Sequence, residues 1–229
     1  MKAIASWSGG KDSCLALWLM QKKGFEVKCL VSVIPSNPDS HMYHQPNLEI
    51  LMMQSKALEI PLVFERTLGK KEEELYALKQ VLLEAKQKYS IRGVVSGALF
   101  SKYQKERIEK ICQELGLHLF SPLWHKDQLK ELHELVDAGF VFVMSKVAGL
   151  GMSQEWLGKV VGKKEIKEIE KLHKKHDFNA AGEGGEFESL VLDAPNFKKR
   201  IKILMSNKTM QNEFTGQLEI EDAMLEDKK

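Results

Sequence analysis

The sequence predicts an α/β fold: a parallel sheet flanked by helices, followed by a smaller C-terminal α/β unit. Three observations carry this. Short apolar runs alternate with helical patterns through the first half of the 229-residue chain. Parallel strands need long crossovers, and helices supply them, so such alternation argues for a sheet covered by helices. The first apolar run leads through a glycine-rich turn straight into a helix, and beyond about residue 122 the rhythm changes.

The elements follow in order. Residues 3–7, Ala-Ile-Ala-Ser-Trp, read as the first strand, and residues 14–20 as a helix with a broad apolar face of Leu15, Leu17, Trp18 and Leu19. Residues 27–34 form a second strand, ended by Pro35 and a turn-rich stretch. A helix over 47–58 leads to a short buried strand at 62–65. A second helix, 72–88, carries Leu75, Leu78, Leu82 and Ala85 at helical spacing. Residues 93–96 are a fourth strand and 103–115 a further helix. In the second half, 126–138 and 163–176 read as helices. Residues 140–146, 188–192, 199–205 and 217–220 read as strands. The expected division is 1–124 and 125–229, although no Gly/Ser linker marks it.

Composition excludes several classes. A net charge of +2 gives no argument for direct nucleic-acid or membrane binding, and the Lys-rich stretches alternate with glutamate as solvated helix faces do. Cys14, Cys29 and Cys112 are far apart in apolar contexts and read as buried thiols in a reducing compartment. The chain enters its first strand without a signal-like segment or long apolar span, so a soluble cytoplasmic protein is expected.

The richest motif is Ser8-Gly9-Gly10-Lys11-Asp12-Ser13, at the turn from the first strand into the first helix. Such a turn exposes backbone N–H groups and the positive end of the helix dipole, a good site for phosphate. The Walker A spacing and the dinucleotide fingerprint both fit badly. The hexapeptide resembles the S-G-G-x-D-S loop of the PP-loop ATP pyrophosphatases, which cleave ATP between the α- and β-phosphates. Five fixed residues match by chance at about 10⁻⁴ over a chain of this length, so a plain connection is disfavoured.

Three further stretches bear on chemistry. Gly182-Glu183-Gly184-Gly185-Glu186 sets two glutamates among three glycines with no apolar company. They can hold Mg²⁺, bind an ammonium-bearing substrate or orient an amine; a solvated loop is the equal alternative. Tyr103, Gln104 and Arg107 lie along one edge of a helical core stripe of Ile108, Ile111, Cys112 and Leu115. Arg107 can neutralise a phosphate or carboxylate, or pair with Glu106 or Glu109. His41 and His44 form an i, i+3 pair without an obvious third ligand, so a substrate-facing loop is favoured over a metal site. Trp124 can stack on a ligand or cover a junction, and Trp156 reads as core.

Taken together, these residues resemble the diphthine–ammonia ligase (diphthamide synthetase) branch of the PP-loop group. The resemblance includes Tyr43-His44-Gln45-Pro46-Asn47, Ser96-Gly97-Ala98, Tyr103-Gln104-Lys105-Glu106-Arg107, Pro122-Leu123-Trp124 and Glu155-Trp156-Leu157-Gly158. The most restrictive string is Gly182 to Ser189, continuing to Asp193-Ala194-Pro195. His41 stands where an aromatic is common, Ser189 where threonine is usual, and the chain matches the short form.

The resemblance implies an adenine nucleotide alpha hydrolase-like fold and a reaction. ATP activates the carboxylate of diphthine, a modified histidine on translation elongation factor two, as an acyl-adenylate. Pyrophosphate leaves, and ammonia attacks to give diphthamide and AMP. Lys11 and the loop N–H groups would stabilise the departing pyrophosphate, Ser8 and Ser13 would donate to phosphate oxygens, and Asp12 would act through Mg²⁺. Gly9 and Gly10 would supply the loop backbone. Adenine would rest against backbone near Ser32 and Gly97. Glu183 and Glu186 fall on the substrate or ammonia side, Tyr103, Gln104 and Arg107 near the activated carboxylate, and His44 and Trp124 on the substrate. The expected partners are the diphthine-bearing factor and ammonium, with oligomeric state open, a homodimer included. The alternatives are a PP-loop ligase for another small carboxylic acid and a nucleotide-binding module without turnover.

Overall fold

The computed structural model describes residues 1–35, 48–68 and 71–228, with backbone alone at 71, 72, 103 and 104. The chain divides into two compact units, Met1–Trp124 and His125–Lys229.

In the first unit, strand and helix alternate: β1 (Lys2–Ser6), α1 (Lys11–Lys22), β2 (Glu26–Pro35), α2 (Leu48–Leu58), β3 (Leu62–Thr67), α3 (Lys71–Tyr89), β4 (Gly93–Val95), α4 (Lys102–Glu114) and β5 (His118–Phe120). The five strands form one parallel sheet in the order β3-β2-β1-β4-β5. β1 lies at its centre, and Ala3, Ile4 and Ala5 are fully buried, as expected of a strand covered on both faces. One face is packed by α3 and α4: Leu78, Val81, Leu82, Ala85, Ile108 and Ile111 share a core with Ile4, Val31 and Val94. The βα alternation is therefore observed, and β5 adds a strand that three residues were too few to announce. Strand order reverses between β1 and β4, and a crevice opens at the carboxyl ends of strands at such a point. The loops after β1 and β4 both start there.

α1 begins at Lys11, three residues earlier than the apolar pattern suggested. Gly10 is its N-cap, and Asp12 in the first turn is favourable at the positive helix end. The second half of the hexapeptide is thus helix rather than turn.

The second unit holds α5 (Gln128–Asp137), β6 (Val141–Val147), a 3₁₀ turn (Gln154–Trp156), α6 (Lys163–His176), β7 (Phe187–Asp193), β8 (Lys199–Met210) and β9 (Gly216–Asp227). Its strands make a separate sheet in the order β7-β6-β9-β8 with antiparallel pairing. Phe142, Val143, Met144 and Val147 of β6 are buried with Leu132, Leu135, Ile166 and Ile169 of the two helices, and Trp156 is core. β8 and β9 run 12 residues each, well past the expected 199–205 and 217–220. Their outer halves pair mainly with each other and alternate charged and apolar residues, so an apolar run does not mark their length. Among the described residues no helix is long and apolar enough to cross a membrane.

Candidate active site

The phosphate-type loop is assembled from short contacts. Ser13 Oγ donates to the Gly10 carbonyl at 3.0 Å, and the Ser8 and Ser13 hydroxyls lie 3.2 Å apart. The Gly10 N–H meets Ser8 Oγ at 3.4 Å. The two serines thus tie the turn to the first helical turn. The N-cap residue, Gly10, has no side chain with which to cap α1, and the first-turn N–H groups of such a helix suit an anion. Lys11 is 1% exposed, and its Nζ lies 2.5 Å from an Asp12 carboxylate oxygen. A buried ammonium needs such an anionic neighbour, since desolvating it alone is costly. Asp12 remains 29% exposed, so the pair has one open side.

Two residues from elsewhere in the first unit fix this loop. Gly9 has φ +75°, the left-handed region that favours glycine. Its carbonyl accepts from Gln54 Nε2 at 2.9 Å, while Gln54 Oε1 accepts from the Trp7 indole at 3.0 Å. Gln54 had no motif to announce it. Gly97, after β4, meets the first turn of α1: a Cβ there would stand 2.7 Å from the Asp12 carbonyl carbon and the Ser13 nitrogen. Ser32, near the end of β2, is buried, and its hydroxyl donates to the Trp7 carbonyl. The Ser32 side chain is therefore used in holding β2 to the end of β1; only its backbone and that of Gly97 are left for the expected adenine contact.

Arg107 is half-buried on α4, about a turn and a half from the start of that helix. The side chains of Tyr103 and Gln104 lie outside the described residues, as does His44 with 36–47. Trp124 is half-buried, and Lys105 Nζ sits 4.3 Å from its ring centroid, a cation–π contact the sequence did not suggest.

The glycine–glutamate string belongs to the second unit and is an ordered turn rather than a plain solvated loop. Asn179 Oδ1 accepts from the N–H groups of Ala181, at 3.0 Å, and Glu183, at 3.2 Å. The Gly182 N–H donates to the Asn179 carbonyl and that of Gly185 to the Gly182 carbonyl. Glu186 Oε1 accepts from the Asn179 N–H at 2.7 Å, and Gly149 approaches the Glu186 side chain closely. Glu186 thus has a structural role that its neighbours in sequence did not reveal. Its other oxygen, Oε2, is buried with no hydrogen-bond partner among the described residues. Glu183 is half-buried.

The three cysteines are buried and unbridged. Burial pushes the thiols of Cys29 and Cys112 up to about 12, and that of Cys14 well above its ordinary value. None is a ready thiolate, so a sulfur-relay reaction has no support among them.

Residues 1–119 match the family model described as the diphthamide synthase N-terminal domain, and residues 127–225 that of the diphthamide synthase C-terminal domain. The chain belongs to the diphthamide synthase family. Relatives carry the name diphthine–ammonia ligase. The Schizosaccharomyces pombe protein is 34% identical over 95% of this chain and 38% of its own length. The Rattus norvegicus protein is 32% identical over 89% of this chain and 83% of its own. The human protein is 31% identical over 88% and 82%. The chain therefore spans well under half of the fission-yeast protein and most of the two mammalian ones. A solved structure described as a predicted subunit of tRNA methyltransferase from Methanocaldococcus jannaschii is 18% identical, covers 85% of this chain and 98% of that one, and has a TM-score of 0.46. Likeness at that level bears on neither fold nor function. In this diphthamide synthase-family chain, the hexapeptide falls in the N-terminal match and the glycine–glutamate turn in the C-terminal match.

Proposed function

We propose that this chain is a diphthine–ammonia ligase: it activates the carboxylate of diphthine on translation elongation factor two with ATP and amidates it with ammonia. The observation that carries the proposal is the hexapeptide at the β1/β4 strand-order reversal, in a chain that both diphthamide synthase domain models match. In the first step a diphthine carboxylate oxygen bonds to the α-phosphorus as the bond to the bridging oxygen breaks, and pyrophosphate leaves. Negative charge grows on the leaving group, and Lys11 with the α1 N-terminus supplies compensating charge. In the second step ammonia attacks the acyl carbon, AMP leaves with the bonding pair, and the nitrogen sheds a proton.

Mg²⁺ fits Asp12, a partly exposed carboxylate oxygen donor at the loop. Among the described residues no group of three metal-ligating side chains is present, and Asp12 is assigned to an ion that arrives with the phosphates. When bound, it neutralises phosphate charge. Glu186 is assigned to ammonium: its buried Oε2 lacks a partner among the described residues, and an N–H donor would satisfy it. Glu183 is assigned beside it, to the incoming amine or substrate.

The test is to incubate the chain with Mg-ATP, ammonium and diphthine-bearing elongation factor. AMP and pyrophosphate should form together with conversion of the diphthine carboxylate to an amide, read by peptide mass spectrometry. ADP and phosphate, or no change of mass, would reject the proposal. Glu186→Gln keeps an oxygen for the Asn179 N–H and replaces the other acceptor by an amide. It should raise the KM for ammonium about tenfold and leave the KM for ATP unchanged; equal KM values for ammonium would remove Glu186 from the amine half.

A further inference from the structure

We propose that Gln54, on a helix that carries no part of the phosphate loop, is a positioning residue that sets the Gly9 peptide for ATP. The inference rests on reading residues 8–13 as the ATP phosphate loop.

Gln54 is fully buried on α2. Its amide has one donor end and one acceptor end, and its neighbours fix which is which. The Trp7 indole N–H can only donate, so the side-chain oxygen must face it. The amide nitrogen then faces the Gly9 carbonyl, which accepts its proton at 2.9 Å. Leu51, one turn earlier on the same face of α2, closes the other side of Gly9: a Cβ there would lie 2.7 Å from Leu51 Cδ2. The same helix therefore supplies both a polar hold on the Gly9 carbonyl and an apolar wall behind it.

The consequence is electrostatic. At φ +75° the orientation of the Gly9 peptide decides where its carbonyl dipole points. A carbonyl oxygen turned toward a triphosphate repels it, whereas N–H groups attract it. The Gln54 donor holds that oxygen on the α2 side of the loop. The Gly9 carbonyl can only accept, so it selects the amide nitrogen by itself, and the Trp7 indole reinforces the same orientation from the other side.

The experiment compares wild type, Q54E and W7F. Mg-ATP binding is measured by calorimetry, steady-state amidation with diphthine-bearing elongation factor and ammonium, and stability by thermal melting. Q54E, in its ionised form, keeps an acceptor for Trp7 and loses the donor to Gly9, so binding is measured at a pH high enough to ionise it. W7F loses the indole donor and keeps the Gly9 bond. ATP affinity should fall about tenfold in Q54E and less than about twofold in W7F, although both melt earlier. At saturating ATP the kcat of Q54E should stay within about twofold of wild type. If Q54E does not fold, the isosteric Q54M, which loses both bonds, stands in its place with the same expectation for ATP. Unchanged ATP affinity in the Gln54 variant overturns the proposal. So does equal loss in W7F, which marks a merely structural contact. Wild type that yields no AMP and pyrophosphate fails the functional reading instead, so the two failures are separable.

Discussion

The phosphate loop and the glycine–glutamate turn solve one problem in opposite ways. Each turns on a glycine with positive φ, Gly9 or Gly182, and each has a side-chain amide holding its backbone. For the first, the amide is Gln54, 45 residues away on a buried helix, and a second constraint comes from Gly97 after another strand. For the second, the amide is Asn179, two to four residues from the N–H groups it accepts, and Glu186 closes the turn seven residues on. The first loop takes its shape from tertiary structure, the second largely from its own sequence. A loop templated by its surroundings can present several N–H groups rigidly, which suits a highly charged ligand. A locally closed turn needs few long-range contacts and can hold a carboxylate in place by itself.

The largest effect should come from the charge in the first loop. Lys11→Ala removes a buried cation next to Asp12 and leaves that carboxylate without its Lys11 counter-charge at the proposed phosphate site. Turnover should fall about 10²- to 10³-fold, as when one electrostatic stabiliser of a transition state is lost. A fall below about tenfold in AMP formation would assign the stabilisation to backbone N–H groups alone. Gly97→Ala comes next and tests the tertiary template directly. Its methyl would press on backbone rather than on a side chain, so α1 must shift. ATP affinity should drop at least about tenfold, with a destabilisation of about 1–3 kcal/mol typical of overpacking. Normal ATP binding with a lowered melting temperature would mean that the loop tolerates displacement of its helix.

The same contrast explains what sequence could show. The strand–turn–helix at residues 2–22 was legible because its signals are local: an apolar run, adjacent glycines and a helical stripe. Gln54 was not, since a glutamine on an amphipathic helix reads as solvent-facing until the fold buries it against Trp7 and Gly9. Nor was the tie made by the Ser32 hydroxyl, which the parallel pairing of β1 and β2 brings to the Trp7 carbonyl, leaving the expected backbone contact with adenine untouched. β5 escaped notice because three residues carry too little periodicity. Asn179 did leave a trace, as an asparagine shortly before Gly182 is a common turn former, yet the glutamates drew the chemistry to themselves.

Asn179→Ala gives the smallest effect and separates the two designs most cleanly. It strips the acceptor from the Ala181 and Glu183 N–H groups but leaves the Asn179 backbone to bond Glu186. Two partly buried donors then turn to solvent, at a cost of about 1–2 kcal/mol. Amide exchange at Ala181 and Glu183 should speed up about tenfold or more, while ATP affinity, proposed to be set in the other unit, stays unchanged. Amidation should fall because Glu183 and Glu186 lose their fixed spacing. Asn179→Asp restores an acceptor of the same length, so it should recover both exchange protection and amidation. Unaltered exchange in Asn179→Ala would show that the glycines and Glu186 suffice to hold the turn. Loss of ATP binding in that variant would show instead that the two loops are coupled, and the distinction between a templated loop and a self-closing one would no longer describe how they act.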